Sequence, residues 1–380
     1  MTVRTFCFWT HLGLGLATGT VGALMAGTAI VMALADSYVD WRDREARVVT
    51  AIANTTPRDL ETLAAGVRDA HPDAAITRVG IERSPRRAIA FFHGDQKLTY
   101  ANPYTGELTA SDAVPLRRRL HKDVEQWHRF LGLNGSKRET GQAVASWMNV
   151  ALVPLLLSGL VIWCPRRIRW RTVRGSATAI NPRSGRSWHS TLGFWSSGLL
   201  LIMVVTAMTH SFPGVRELAY RINGGATGPA GPHDQIWAPK LPPVPRAPGA
   251  AALSLDALRD IADRDHPHWA RLDLFPSPST TANDHWPPAR LLIAGSGSGP
   301  SFFPLVQQID PFTGETLHVH DWANLSGGTR LLAWARWLHK GEAFGRPGQW
   351  IAAVACLIML VLIATGWWLA LRRFLPRTQI

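Results

Sequence analysis

Only three cysteines occur in the 380 residues, Cys7, Cys164 and Cys356, and each lies inside or beside a long apolar run. No disulfide framework is therefore available to the polar parts of the chain, and no CxxC or Cys/His spacing offers a zinc or thiol-redox site. Acidic residues are missing from other places. Segments 1–7, 165–187 and 372–380 hold eleven arginines and no Asp or Glu. Also absent are GxSxG, HExxH, P-loop and Rossmann fingerprints, which removes the common hydrolase, nucleotide and flavin readings.

Four apolar runs are present, at roughly 8–35, 142–164, 188–212 and 348–371. Each reaches the ~20 residues that a bilayer-spanning helix needs. The acid-free arginine segments all fall on one side of these runs, whereas segments 36–141 and 213–347 carry nearly balanced charge. By the positive-inside rule both termini are cytoplasmic and both large loops are exported across a bacterial inner membrane. The formal charge of +13 is thus a signature of topology, and it points to no nucleic-acid partner. The first run is too long for a signal-peptide core and carries His11 and a row of glycines, so it reads as a retained span.

The two exported loops follow one order. The first has an amphipathic helix at 57–70, His71-Pro72, strands at 75–81, 88–92 and 97–101, and the turn Asn102-Pro103-Tyr104-Thr105-Gly106-Glu107. The second has a helix at 254–265, His266-Pro267, strands at 270–275, 289–293 and 303–309, and the turn Asp310-Pro311-Phe312-Thr313-Gly314-Glu315. Pro presets φ and Gly supplies φ > 0 in both turns. The expected fold class is a membrane α-helical protein of four spans, with a two-fold internal repeat and two periplasmic α+β domains. Its segments are span 1 (8–35), domain 1 (36–115), an amphipathic approach (116–141) and span 2 (142–164). A basic cytoplasmic loop (165–187) and span 3 (188–212) follow. Then come a linker with domain 2 (213–330), a second approach (331–347), span 4 (348–371) and a cytoplasmic tail (372–380). Two spans per half make the repeat a parallel one, about an axis along the membrane normal.

Histidines sit at the span ends. His11 and His189 occupy matching first turns of spans 1 and 3, and His128 and His339 precede spans 2 and 4. Ionisable groups at membrane depth are costly and usually functional. Two imidazoles at one depth on neighbouring helices are what a bis-histidine b-type haem needs. A pair lacks the third and fourth ligands that zinc takes. His210 lies 21 residues after His189, ~31 Å along a helix, so it belongs to the other end and is a reserve outer ligand. His121 is a fourth outer candidate, two helical turns before His128. His266-Pro267-His268 and His318-Val319-His320 lie in the exported loops, where exposed histidine is the default reading.

Several motifs carry a family resemblance. They are His11-Leu12-Gly13-Leu14, Trp127-His128-Arg129-Phe130-Leu131-Gly132-Leu133 and Trp188-His189-Ser190-Thr191-Leu192-Gly193-Phe194. The most specific is Leu338-His339-Lys340-Gly341-Glu342-Ala343-Phe344-Gly345-Arg346-Pro347-Gly348-Gln349. With the two loops, they make the chain similar to the PepSY-associated transmembrane family, above all to its inner-membrane ferrisiderophore reductases of the FoxB type. The resemblance implies PepSY-like exported domains, two b haems as cofactors, and one-electron reduction of a periplasmic ferric siderophore, Fe(III) to Fe(II). Carried over by residue, it marks His11, His189, His128 and His339 as haem-iron ligands. Fe(II) is held more weakly by hydroxamate-type oxygens, so reduction releases iron. The partners expected are membrane lipid, the ferric siderophore, and a quinol or redox protein as donor. The rival expectation is a non-redox membrane module whose PepSY-like domains bind or regulate an envelope peptidase or partner.

Overall fold

A computed structural model describes residues 2–51, 55–94, 97–111, 113–164, 184–224, 236–278 and 285–375. Most of the expected basic loop (165–183), part of the linker (225–235) and the end of the tail (376–380) lie outside the described residues.

Before the second half the helices are α1 (Val3–Arg42), α2 (Arg44–Arg47), α3 (Leu60–Ala70), α4 (Ala113–Phe130) and α5 (Arg138–Trp163). After it come α6 (Gly185–Ser211), α7 (Pro213–Asn223), α8 (Leu255–Asp265), α9 (Gly327–His339) and α10 (Gly345–Phe374). Among the described residues four helices are long and apolar enough to cross a membrane: α1, α5, α6 and α10, called spans 1 to 4 below. Span 3 packs along both span 2 and span 4. Polar ties join the spans. The Asn149 amide donates to the Val204 carbonyl at 2.9 Å, and Arg346 pairs with Asp36 at 3.1 Å. Small residues supply the close approaches. Gly141 lies against the Phe130 carbonyl and Gly348 against that of Gly341, where any side chain would clash.

The chain divides into two compact units. The membrane unit holds 1–36, 120–222 and 331–380, and the sheet unit holds 37–119 and 223–330. In the sheet unit the first loop supplies β1 (Ile76–Glu82), β2 (Ile89–His93), β3 (Lys97–Ala101) and β4 (Leu108–Ser111). The second supplies the short β5 (Val244–Pro245) and β7 (His285–Trp286), and also β6 (Arg271–Phe275), β8 (Ala289–Ala294), β9 (Leu305–Ile309) and β10 (Thr316–His320). The expected strands are present, and β4 and β10 extend each set by one.

The two expected domains are joined as one antiparallel sheet of eight strands, in the order β10-β9-β8-β6-β1-β2-β3-β4. The seam is the β1–β6 pairing, Val79 opposite Leu274 and Ile81 opposite Leu272. One face carries a single core shared by both halves: Leu60, Leu63 and Val67 of α3, Leu258 and Ile261 of α8, and Val79, Phe91, Leu272, Leu291 and Ile309 of the strands. The two helices also cap each other. Asp256 accepts from the Leu60 and Glu61 amides at 2.8 and 3.0 Å, while Glu61 accepts from the Leu255 amide at 2.8 Å. Amides that have no partner within a helix's first turn are thus satisfied across the seam.

Both Pro-Thr-Gly turns form as their chemistry requires. Asn102 accepts from the Tyr104 amide at 3.0 Å and Asp310 from the Phe312 amide at 2.8 Å, with Gly106 and Gly314 at φ of 81° and 78°.

Candidate functional site

The four histidines marked by the sequence share one kind of setting: each ring is braced through Nδ1 by the backbone of a neighbouring span. His11 Nδ1 lies 2.9 Å from the Leu155 carbonyl of span 2 and 3.4 Å from Ser158 Oγ. His189 Nδ1 lies 3.0 Å from Thr365 Oγ1 of span 4, beside the Leu362 carbonyl. His128 Nδ1 lies 3.1 Å from the Met25 carbonyl and 2.9 Å from Thr28 Oγ1, both on span 1. His339 Nδ1 lies 2.9 Å from the Met203 carbonyl of span 3.

A carbonyl can only accept, so Nδ1 must carry the proton and donate to it. In the neutral imidazole this bond leaves the lone pair on Nε2. A ring braced this way is fixed in tautomer and orientation, as metal-binding imidazoles commonly are.

The inner pair is brought together. His11 and His189 have ring centres 6.0 Å apart, with planes at 82°. An imidazole nitrogen binds a metal at ~2 Å and the ring centre lies about one ångström further, so two axial rings on one metal have centres roughly 6 Å apart. The donor set and the separation both fit one iron between two neutral imidazoles. Glycines make room for the rings. A Cβ on Gly159 would come within 2.9 Å of His11 Cε1, and one on Gly366 within 3.3 Å of His189 Cε1.

The other end is more crowded. Here the ring contact joins His339 and His210, with centres 5.6 Å apart and planes at 52°. His128 is close enough to His339 for its charge to be felt. Burial first, and that neighbour second, bring the His128 pKa down to about 4. The His339 pKa is also lowered, by burial first. His121 has a buried Nδ1 with no hydrogen-bond partner, and no contact brings it to the other three. Among the described residues no group of three or more His, Cys, Asp or Glu is placed to hold a metal ion.

The bracing residues were not singled out from the sequence, although a signal is there. Met25-x-x-Thr28 follows His11 by the same fourteen residues that separate Met203-x-x-Thr206 from His189. Likewise Leu155-x-x-Ser158-Gly159 matches Leu362-x-x-Thr365-Gly366. Fourteen residues is about 21 Å of helix, which is the axial separation of the two histidine sites along span 1.

Fold and site together define a polytopic helical membrane protein with an attached α+β sheet unit. The chain belongs to the family described as PepSY-associated TM region, whose model matches residues 8–373, essentially the whole chain. No curated protein matches it.

Proposed function

We propose that the chain is a bacterial inner-membrane electron-transfer protein that reduces ferric siderophores in the periplasm. The observation that carries this reading is the His11–His189 pair, 6.0 Å apart, with each Nδ1 braced by a neighbouring span. His11 and His189 would hold an inner b haem, and His128 and His339 an outer one, with His210 as the reserve ligand. Bound there, the two groups would carry single electrons between the membrane faces and on to a ferric chelate. The residues themselves do the rest. The Leu155, Met25 and Met203 carbonyls fix the tautomers of their partners, Gly159 and Gly366 leave the inner rings space, and the apolar spans exclude water and charge.

In this reading both termini are cytoplasmic, the sheet unit is periplasmic, and the two halves are related by an internal two-fold repeat. Electrons come from a quinol or a partner protein. The reaction is Fe(III) chelate plus one electron to Fe(II) chelate, and it needs no general acid, base or nucleophile. The test is anaerobic mixing of dithionite-reduced, desalted protein with a ferric hydroxamate and, in a second arm, an anionic ferric catecholate, in the presence of a ferrous-specific dye. Reoxidation of the protein with stoichiometric Fe(II)–dye colour is expected in at least one arm. A protein that stays reduced beside both chelates refutes the ferric-chelate assignment, and a protein that takes up no electrons leaves the non-redox module that binds an envelope partner.

A further inference from the structure

Among the described residues, the sheet face opposite α3 and α8 is packed at both ends, while in its middle Arg290 is exposed and Arg78, Phe92 and Phe275 are half-buried. Toward β4, Phe92 borders a small second core of Leu98, Tyr100 and Tyr104. Toward β10, segment 236–239 lies over the face. Gln308 donates to the Pro239 carbonyl at 2.9 Å, and His320 Nε2 lies 3.3 Å from that of Ile236. Between these ends stand Arg78 on β1, Phe275 on β6 and Arg290 on β8. Cross-strand pairing puts Arg78 opposite Phe92, and Phe275 opposite Arg290. The Arg78 guanidinium lies 3.5 Å from the Phe92 ring centre and 5.9 Å from that of Phe275, and Arg290 covers Phe275 from 5.0 Å.

The charge in this window is not balanced. Its carboxylates are already taken: Arg271 holds Asp273 through both nitrogens at 3.2 and 3.3 Å, and Glu82, opposite Arg271, pairs with Arg47 and Arg87. Arg78 reaches Asp273 only at 3.8 Å, and its Nε is buried without a hydrogen-bond partner. With 31 % of its side chain exposed, Arg78 is largely desolvated, and nearby Arg271 and Arg117 add like charge. A cation held this way is costly unless an anion completes it, and stacking on a phenyl ring leaves a guanidinium edge free to donate to one.

We propose that this window binds an anionic metal chelate of the catecholate type, with Arg78 and Arg290 meeting its negative oxygens while Phe92 and Phe275 hold the two guanidiniums in place by stacking. The substrate class follows from the charge: a neutral hydroxamate chelate gives the two guanidiniums nothing to neutralise. The proposal rests on the ferric-chelate reading above and specifies its substrate.

The test uses full-length protein in nanodiscs and two gallium(III) chelates, which cannot be reduced: the trianionic tris-catecholate and the neutral tris-acetohydroxamate. Calorimetric titration should show the anionic chelate binding at least about tenfold more tightly, and weakening with salt. Arg78→Gln and Arg290→Gln should each cost about tenfold or more, the scale of a lost charge-assisted hydrogen bond. Arg290 is exposed, so its variant tests the site even where Arg78→Gln fails to fold. Equal affinity for the two chelates, or two folded variants that bind like the parent, overturns the proposal. Haem content is read separately: charge-selective binding without haem sinks the redox reading alone, and haem with charge-blind binding sinks this one alone.

Discussion

At the scale of single residues, the account turns on imidazoles whose Nδ1 protons are spoken for. A haem held between the two rings would lose its bis-histidine spectrum with either ring, so His11→Ala and His189→Ala should remove the same spectral component, read by low-temperature difference spectra. Loss of different components would break the pairing. Gly159 gives a finer test, because its would-be Cβ falls 2.9 Å from His11 Cε1 and that of Gly366 only 3.3 Å from His189 Cε1. Gly159→Ala should therefore lower inner-haem content or shift its potential more than Gly366→Ala does, as redox titration would show. The histidines themselves were legible in the sequence, because ionisable groups are rare in apolar runs. Their braces were not. A backbone carbonyl has no sequence signature, and Ser158 or Thr365 alone looks like any small hydroxyl in a span.

Buried imidazole also occurs in the sheet unit. His93 on β2 stacks on His71 at 4.2 Å, donates to or accepts from Thr99 at 2.9 Å, and has its other nitrogen unpaired. Burial, then His71 and Lys97, lower its pKa. Below the ordinary histidine value of ~6.5 the unfolded strand takes up a proton that the folded one refuses, so local stability falls as the pH drops. Hydrogen exchange at β2 and β3 amides should speed up between pH 7 and 5 beyond the intrinsic change, and His93→Asn should flatten that excess. Identical pH profiles in the two proteins would count against it.

At the scale of elements, the approach helices decide the outer site. Each ends close after its histidine: α4 at Leu131 and Gly132, with φ of 53° and 74°, and α9 at Gly341, with φ of 73°. A leucine in the left-handed region is uncommon and holds only where packing over-determines it. His128 and His339 are braced at Met25 and Met203, whereas His210 is one ring contact away on span 3. His128→Ala and His339→Ala should each abolish the outer haem and spare the inner one, and His210→Ala should leave both. Retention of the outer haem in His128→Ala with its loss in His210→Ala would move the ligand to span 3.

Helices α3 and α8, strands β1, β2, β3, β6, β8 and β9, and the two Pro-x-Thr-Gly turns were all readable from period and punctuation. Strands β4 and β10 were not. Both follow a turn that closed the pattern, and Leu108-Thr109-Ala110-Ser111 is barely apolar. Helix α7 falls at the start of what was expected to be linker, and it opens on Pro213, which suits a first helical turn. The seam between β1 and β6 was invisible for another reason: pairing between distant strands is set by register and leaves no local mark.

At the scale of the whole molecule, the chain combines four spans with one sheet drawn from both large loops. The long apolar runs made the four spans readable, since a bilayer-crossing helix demands an unbroken apolar stretch. The fusion of two expected domains could not be read, because each loop alone has enough apolar residues to suggest its own core. The central claim is that the two histidine sites, about 21 Å apart along span 1, each hold one b haem. The most direct test is a pyridine haemochrome assay on the purified, monodisperse protein, normalised to polypeptide by amino-acid analysis. The account predicts close to two haems b per chain, with the α-band of a low-spin bis-histidine species on reduction. A colourless, stably folded preparation that takes up no haem on reconstitution would contradict it.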